Sequence, residues 1–141
     1  MIKVFLDSSV VFAAAGSQTG GSFEIINLIK KGRLESLVNE GVVAESEEAI
    51  RRKLSLEKYK LFINWLEEGY FKILPFPEEE KLQQLEDVNQ KDRHILISAQ
   101  ESKPDYLVSL DKKHVLTKES RKIIPEIKIV TPKEFLQKHF K

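Results

Sequence analysis

The sequence contains no cysteine, which excludes a thiol nucleophile and a cysteine-ligated zinc site and suits a reducing compartment. It has no apolar run approaching the length of a membrane span. Its opening residues lack the charged region, long apolar core and small-residue cleavage site of a signal peptide. The expectation is a soluble, cytoplasmic protein with no membrane partner. Net charge is almost absent too. With 23 Lys and Arg against 22 Asp and Glu the chain carries +1, so gripping a polyanion by bulk charge is excluded and any nucleic-acid contact must be local. The glycine-rich stretch 16–22 (GSQTGGS) lacks the Gly-Lys-Ser/Thr ending of a phosphate-cradling loop and reads as a connection between two helices. Internal repeats and low-complexity tracts are missing. What remains is a chain of 141 residues, read as a single domain over 1–141 that can bury a core without staples.

The opening stretch 2–6 (IKVFL) is the pattern of a strand covered on both faces in a parallel sheet. Asp7 ends it, and after Ser8 and Ser9 the apolar stretch 10–15 marks a turn from strand into helix. In open α/β sheets the carboxyl end of a strand is where ligands bind. The same position also suits a helix cap, and Asp7 alone does not decide between the two. A later strand, 106–110, ends in Asp111 in the same way. Two acids at the same end of two strands of one sheet are the strongest pattern in the chain.

Between them, residues 23–31 have helical spacing and 34–39 form a second strand. Residues 40–54 form a helix with Val42, Val43, Ala49, Ile50 and Leu54 on its buried stripe. Glu48 points away from that stripe, where it can pair with Arg52. Glu45 and Glu47 lie on opposite edges of it, and periodicity does not choose between them. A further helix spans 56–68, with Trp65 beside its core positions, where it suits the core or a subunit interface more than a base-stacking platform, and a third strand spans 70–74. Pro75-Phe76-Pro77 is a stiff exit into an acidic helix over 78–88. Asp92 falls in the first turn of the next helix, on the same stripe as Ile95, Leu96 and Ala99. An acid aimed inward in this way goes beyond what a cap requires. His94 faces elsewhere on the wheel, towards the surface or a groove, and has no ligand-like spacing with His114 or His139. Lys112, Lys113 and His114 form a basic cluster where an anionic substrate would arrive, or else a solvated turn. A last strand, 127–130, leads into Thr131-Pro132-Lys133-Glu134, a capping box with Pro at the first helical position.

Taken in order, the opening strand into Asp7-Ser8-Ser9-Val10, the segment Val42-Val43-Ala44-Glu45, the segment Lys91-Asp92-Arg93-His94-Ile95-Leu96, the segment Leu107-Val108-Ser109-Leu110-Asp111 and the closing stretch 129–136 resemble the PIN-domain family. This is the metal-dependent ribonuclease fold of many prokaryotic toxin–antitoxin systems. The resemblance spans nearly the whole chain. It implies an α/β fold with a central parallel sheet flanked by helices on both faces. It also implies an acidic pocket formed by Asp7, Glu45, Asp92 and Asp111, which selects Glu45 over Glu47, with Ser9 and Ser109 positioning acids and water. Two departures stand out: Asn89-Gln90 replaces the acid and proline common before the third carboxylate, and Ser8 replaces the commoner threonine.

The implied chemistry follows from charge. Four converging carboxylates repel one another, so they bind cations or hold raised pKa values. Oxygen ligands suit Mg²⁺ or Mn²⁺. Such a site hydrolyses a phosphodiester with water activated at metal ions, which act in pairs about 3.5–4 Å apart, and no covalent intermediate is expected. In this reading Asp7 and Asp92 hold the principal metal, Glu45 ligates or orients water, and Asp111 ligates directly or through water. Arg51, Arg52, Lys112 and Lys113 are candidate contacts to an RNA backbone. A homodimer and an inhibitory antitoxin complete the expectation. The rival reading is a PIN fold kept as a non-catalytic RNA-binding or assembly module. A haloacid-dehalogenase-type phosphatase is disfavoured because Ser9 stands where its second acid belongs.

Overall fold

The computed structural model describes residues 1–140. Its elements run β1 (Lys3–Leu6), α1 (Ser8–Gly16), α2 (Gly21–Lys30), β2 (Glu35–Asn39), α3 (Glu40–Lys53), α4 (Leu56–Glu67), β3 (Lys72–Leu74), α5 (Glu79–Gln83), α6 (Gln90–Ser102), β4 (Tyr106–Val108), α7 (Lys118–Ile123), β5 (Lys128–Val130) and α8 (Pro132–His139). The five strands form one sheet in the order β3-β2-β1-β4-β5, with every neighbouring pair parallel. The α/β fold expected from the sequence is therefore present.

Val4, Phe5 and Leu6 of β1 and Leu107 and Val108 of β4 are fully buried. Successive strand residues face opposite sides, so both faces of the sheet centre are covered. Right-handed crossovers explain how. The connections from β1 to β2 to β3 run one way and put α1–α4 on one face. Those from β3 to β4 to β5 run back across β1 and put α5–α7 on the other. The chain thus leaves β1 on one side and returns on its opposite side at β4. The carboxyl ends of β1 and β4 flank the topological switch point, where such sheets hold ligands. Among the described residues no helix is long and apolar enough to cross a membrane.

Local chemistry accounts for most boundaries. Thr131 and Glu134 form the reciprocal capping box expected at the start of α8. Phe62 and Trp65 of α4 pack edge-to-face with ring centroids 6.5 Å apart, and Trp65 is buried, so it is a core residue. Three expectations need correction, and one helix has no counterpart in the sequence reading. α5 stops at Gln83, because none of its residues is buried and no apolar face anchors a longer helix. α7, six residues capped by the Thr117 hydroxyl, is too short to register as a periodic signal. β4 ends at Val108, because Ser9 Oγ accepts from Leu110 N at 3.0 Å, drawing the chain out of the sheet and leaving Leu110 exposed. On α3 the ion pair joins Arg51 to Glu47 at 3.1 Å instead of Arg52 to Glu48.

Candidate active site

At the switch point a cavity of about 240 Å³ is lined by Asp7, Ser9, Glu45, Ser46, Asp92, Asp111 and His114, among others. All four carboxylates of the sequence reading reach this one place, each from a different element. They play different parts in it.

Asp7 is both cap and cavity wall, so neither reading of it excludes the other. Its Oδ1 accepts from Ser8 N at 2.8 Å at the start of α1. Its Oδ2 accepts from Ser9 Oγ at 2.8 Å and Ser109 Oγ at 2.7 Å. Burial pushes its carboxyl above the usual range, and the hydroxyl and amide donors only partly offset that. Ser9 and Ser109 thus orient Asp7 and tie β1 to the segment after β4, where Ser109 Oγ also accepts from Asp111 N at 3.0 Å.

Asp111 sits in the turn beyond β4, where its Oδ1 accepts from the backbone N–H groups of Lys113 and His114 at 3.1 and 3.0 Å. Its Oδ2 meets only His114 Nδ1, at 3.4 Å. Lys112 and Lys113 are exposed beside that turn.

Asp92 projects from the first turn of α6 and is only 7% exposed. Burial pushes its carboxyl up to about 6. His114 opposes the shift, while the negative charge of Asp111, Asp7 and Glu45 adds to it. Asn89, at the position lacking an acid, caps α6 by accepting from Lys91 N at 3.0 Å.

Glu45, whose side chain is 46% exposed, receives a 2.8 Å hydrogen bond on Oε1 from His94 Nε2. His94, expected at the surface or in a groove, lines a groove beside Glu45 but is buried, only 5% exposed. The reason is Asn39, the last residue of β2 and the cap of α3. Its Oδ1 accepts from Val42 N at 2.8 Å, which fixes the orientation of the amide and turns Nδ2 towards His94 Nδ1 at 3.0 Å and Ser98 Oγ at 2.9 Å. Because Nδ2 can only donate, Nδ1 must accept and the ring proton sits on Nε2, facing Glu45. Asn39 and His94 together hold one oxygen of Glu45 and leave the other free.

Gly41 makes room for this relay. A Cβ there would lie 2.8 Å from Phe76 Cε1 and 2.9 Å from His94 Cε1, closer than side chains tolerate. Phe76, half-exposed, can swing away, but His94 is pinned by Asn39. Gly41→Ala is therefore expected to lower stability by about 1–3 kcal/mol, measured by urea unfolding. Activity should fall by roughly tenfold as Glu45 loses its support.

Among the described residues, two buried side-chain oxygens have no hydrogen-bond partner, Ser46 Oγ and Asp92 Oδ2, and both residues line this cavity. Leaving such atoms unpartnered costs about 1–3 kcal/mol each, and a bound cation with its waters would satisfy them. The all-oxygen carboxylate set fits a hard divalent ion, so the residues fit the metal that the resemblance implies. Ser46 went unnoticed in the sequence because it occupies the buried stripe of α3, where periodicity registers only apolar residues.

An adjoining groove of about 740 Å³ shares Ser8, Glu45, Ala49 and Lys91 with the cavity and adds Arg52, Lys53 and Phe76. Arg52 thus lines a path into the site. Arg51, paired with Glu47, lines neither the cavity nor the groove.

The parallel sheet in this order, with helices on both faces, is shared with solved structures of the VapC-like PIN fold. VapBC2 from Rickettsia felis, solved bound to a DNA fragment from their promoter, matches at a TM-score of 0.64 and 16% identity over 92% of this chain and 98% of that one. FitAcB from Neisseria gonorrhoeae matches at 0.64 and 16% over 92% and 97%. PAE2754 from Pyrobaculum aerophilum matches at 0.61 and 16% over 97% and 94%. No protein-family model and no curated protein matches the sequence.

Proposed function

We propose that the protein is a single PIN-like domain acting as a metal-dependent endoribonuclease, hydrolysing RNA phosphodiester bonds at Asp7, Glu45, Asp92 and Asp111 with Mg²⁺ or Mn²⁺. The observation that carries this reading is the pair of unpartnered buried oxygens on one acidic cavity at the switch point. A divalent ion bound there supplies Lewis acidity to the phosphodiester and to water.

The chain's own residues have the remaining work. Asp92 and Asp111 would hold the cation through their Oδ2 atoms, and Asp7, clamped by two hydroxyls and an amide, completes the negative wall. The free oxygen of Glu45 orients the attacking water and takes its proton, while His94 fixes the other. Lys91, Arg52 and Lys53 bind phosphates of the incoming strand through the adjoining groove, and Lys112 and Lys113 lie where the strand leaves. With near-zero net charge, this local placement is the way the chain can attract a polyanion. Likeness in fold to VapBC2 and FitAcB supports a partner of the antitoxin kind, and we take the working form to be a cytoplasmic homodimer held inactive by it.

Labelled single-stranded RNA incubated with Mn²⁺ or Mg²⁺ should be cleaved, and EDTA should abolish the cleavage. Failure to cleave any of several RNAs, together with no Mn²⁺ binding by calorimetry, would establish the non-catalytic module instead.

A further inference from the structure

We propose that His114 is a direct metal ligand, making a mixed carboxylate–imidazole site that holds Mn²⁺ in preference to Mg²⁺. This rests on Asp92 and Asp111 binding the cation. The sequence places His114 three residues after Asp111, and the turn between them is locked. Asp111 Oδ1 accepts from His114 N, and the Asp111 carbonyl accepts from Val115 N at 3.1 Å and Leu116 N at 2.9 Å. Ser120 Oγ donates to the His114 carbonyl at 3.3 Å. The imidazole is thereby delivered to the cavity by fixed backbone.

There Nδ1 lies 3.4 Å from Asp111 Oδ2 and 4.0 Å from Asp92 Oδ2. The three residues each offer a donor atom, all within 4.8 Å of one another. Neighbouring ligand atoms on an octahedral cation with bonds of about 2.1 Å stand roughly 3 Å apart and opposite ones roughly 4 Å, so small side-chain shifts complete the set. As a hydrogen bond the arrangement is poor. Charge-assisted N–H···O bonds close to about 2.7–2.9 Å, and the ring closes on neither carboxylate. Asp92 Oδ2, more than nine-tenths buried and without a partner, is an independent sign that something belongs between these groups. Mg²⁺ takes oxygen ligands and keeps its waters, so imidazole adds little to its binding. First-row transition ions accept imidazole nitrogen.

The test uses Mn²⁺ alone on the intact chain. Pulsed EPR should detect nitrogen-14 coupling to bound Mn²⁺ that disappears in His114→Gln and persists in His94→Gln, which excludes the histidine behind Glu45 as its source. By calorimetry, His114→Gln should lower the Mn²⁺ over Mg²⁺ affinity ratio at least about tenfold, the lower bound for even outer-shell partners. Unfolding of the metal-free variant, compared with the wild type, checks that it is folded. Mn²⁺ bound without nitrogen coupling, or an unchanged ratio, overturns the ligand assignment and leaves the carboxylate site standing. If wild type binds no Mn²⁺, the carboxylate site falls and the ligand assignment with it.

Discussion

Asp92→Asn should abolish RNA cleavage while making the metal-free protein more stable above pH 6. Asp92 supplies one of the two unpartnered buried oxygens of the cavity, and an amide at that position has neither charge nor the second acceptor a cation needs. Outer-shell partners of a metal already contribute about 10–100-fold to affinity or activity, so replacing a direct ligand should cost more than about 100-fold.

The stability gain has a definite sign. Burial pushes the folded Asp92 carboxyl up to about 6, against 3.8 in the unfolded chain. The folded state therefore binds its proton more tightly. That contribution is fully present below pH 4 and is lost as the pH rises through 6. The metal-free wild type should accordingly weaken between pH 4 and pH 7. The Asn variant should escape this part of the decline and gain roughly 1 kcal/mol at pH 7.5, less than full conversion because the cavity opens to solvent. A residual slope should persist in both proteins, since burial raises Asp7 as well. Mn²⁺ should stabilise the wild type and leave the variant unmoved. Urea unfolding across pH, with and without Mn²⁺, reads all of this. Undiminished cleavage by a well-folded Asn variant would remove Asp92 from the mechanism.

What could be read from the sequence shares one property: the signal is local. The buried run ending at Asp7, the alignment of Asp92 with Ile95, Leu96 and Ala99, and the capping box at Thr131 are each set by residues a few positions apart. Periodicity and capping report such neighbours directly. The missed features depend on distant partners. His94 is amphipathic by itself, and its buried ring is held by Asn39, 55 residues earlier in the chain, which donates to it. Gly41 gives no sign in sequence that an aromatic and an imidazole will lie over it. His114 looks like one more base in a cationic cluster until the Asp111 turn rotates it into the cavity. The choice of Glu45 over Glu47 came from family resemblance, and its physical counterpart is the hydrogen bond from His94. Glu47 is occupied by Arg51.

The relay behind Glu45 leads to the largest expected change in stability, at Asn39. This side chain is fully buried and serves three partners, capping α3 through Oδ1 and donating to His94 Nδ1 and Ser98 Oγ through Nδ2. Asn39→Ala removes the cap, worth about 0.5–2 kcal/mol, and strands buried acceptors at about 1–3 kcal/mol. The expected loss is roughly 2–4 kcal/mol by urea unfolding. Asn39→Asp separates cap from relay. Its carboxylate still accepts from Val42 N, but it presents an acceptor to His94 Nδ1, so the ring must carry its proton there. A neutral ring then turns a lone pair from Nε2 towards Glu45 Oε1, and the two repel. The Asp variant should therefore retain more stability than the Ala variant yet lose roughly ten- to hundredfold in cleavage rate, and NMR of the imidazole nitrogens should show the proton moved from Nε2 to Nδ1. If Asn39→Asp cleaves RNA like the wild type with its ring proton relocated, the orientation of Glu45 does not depend on His94, and the relay serves packing alone.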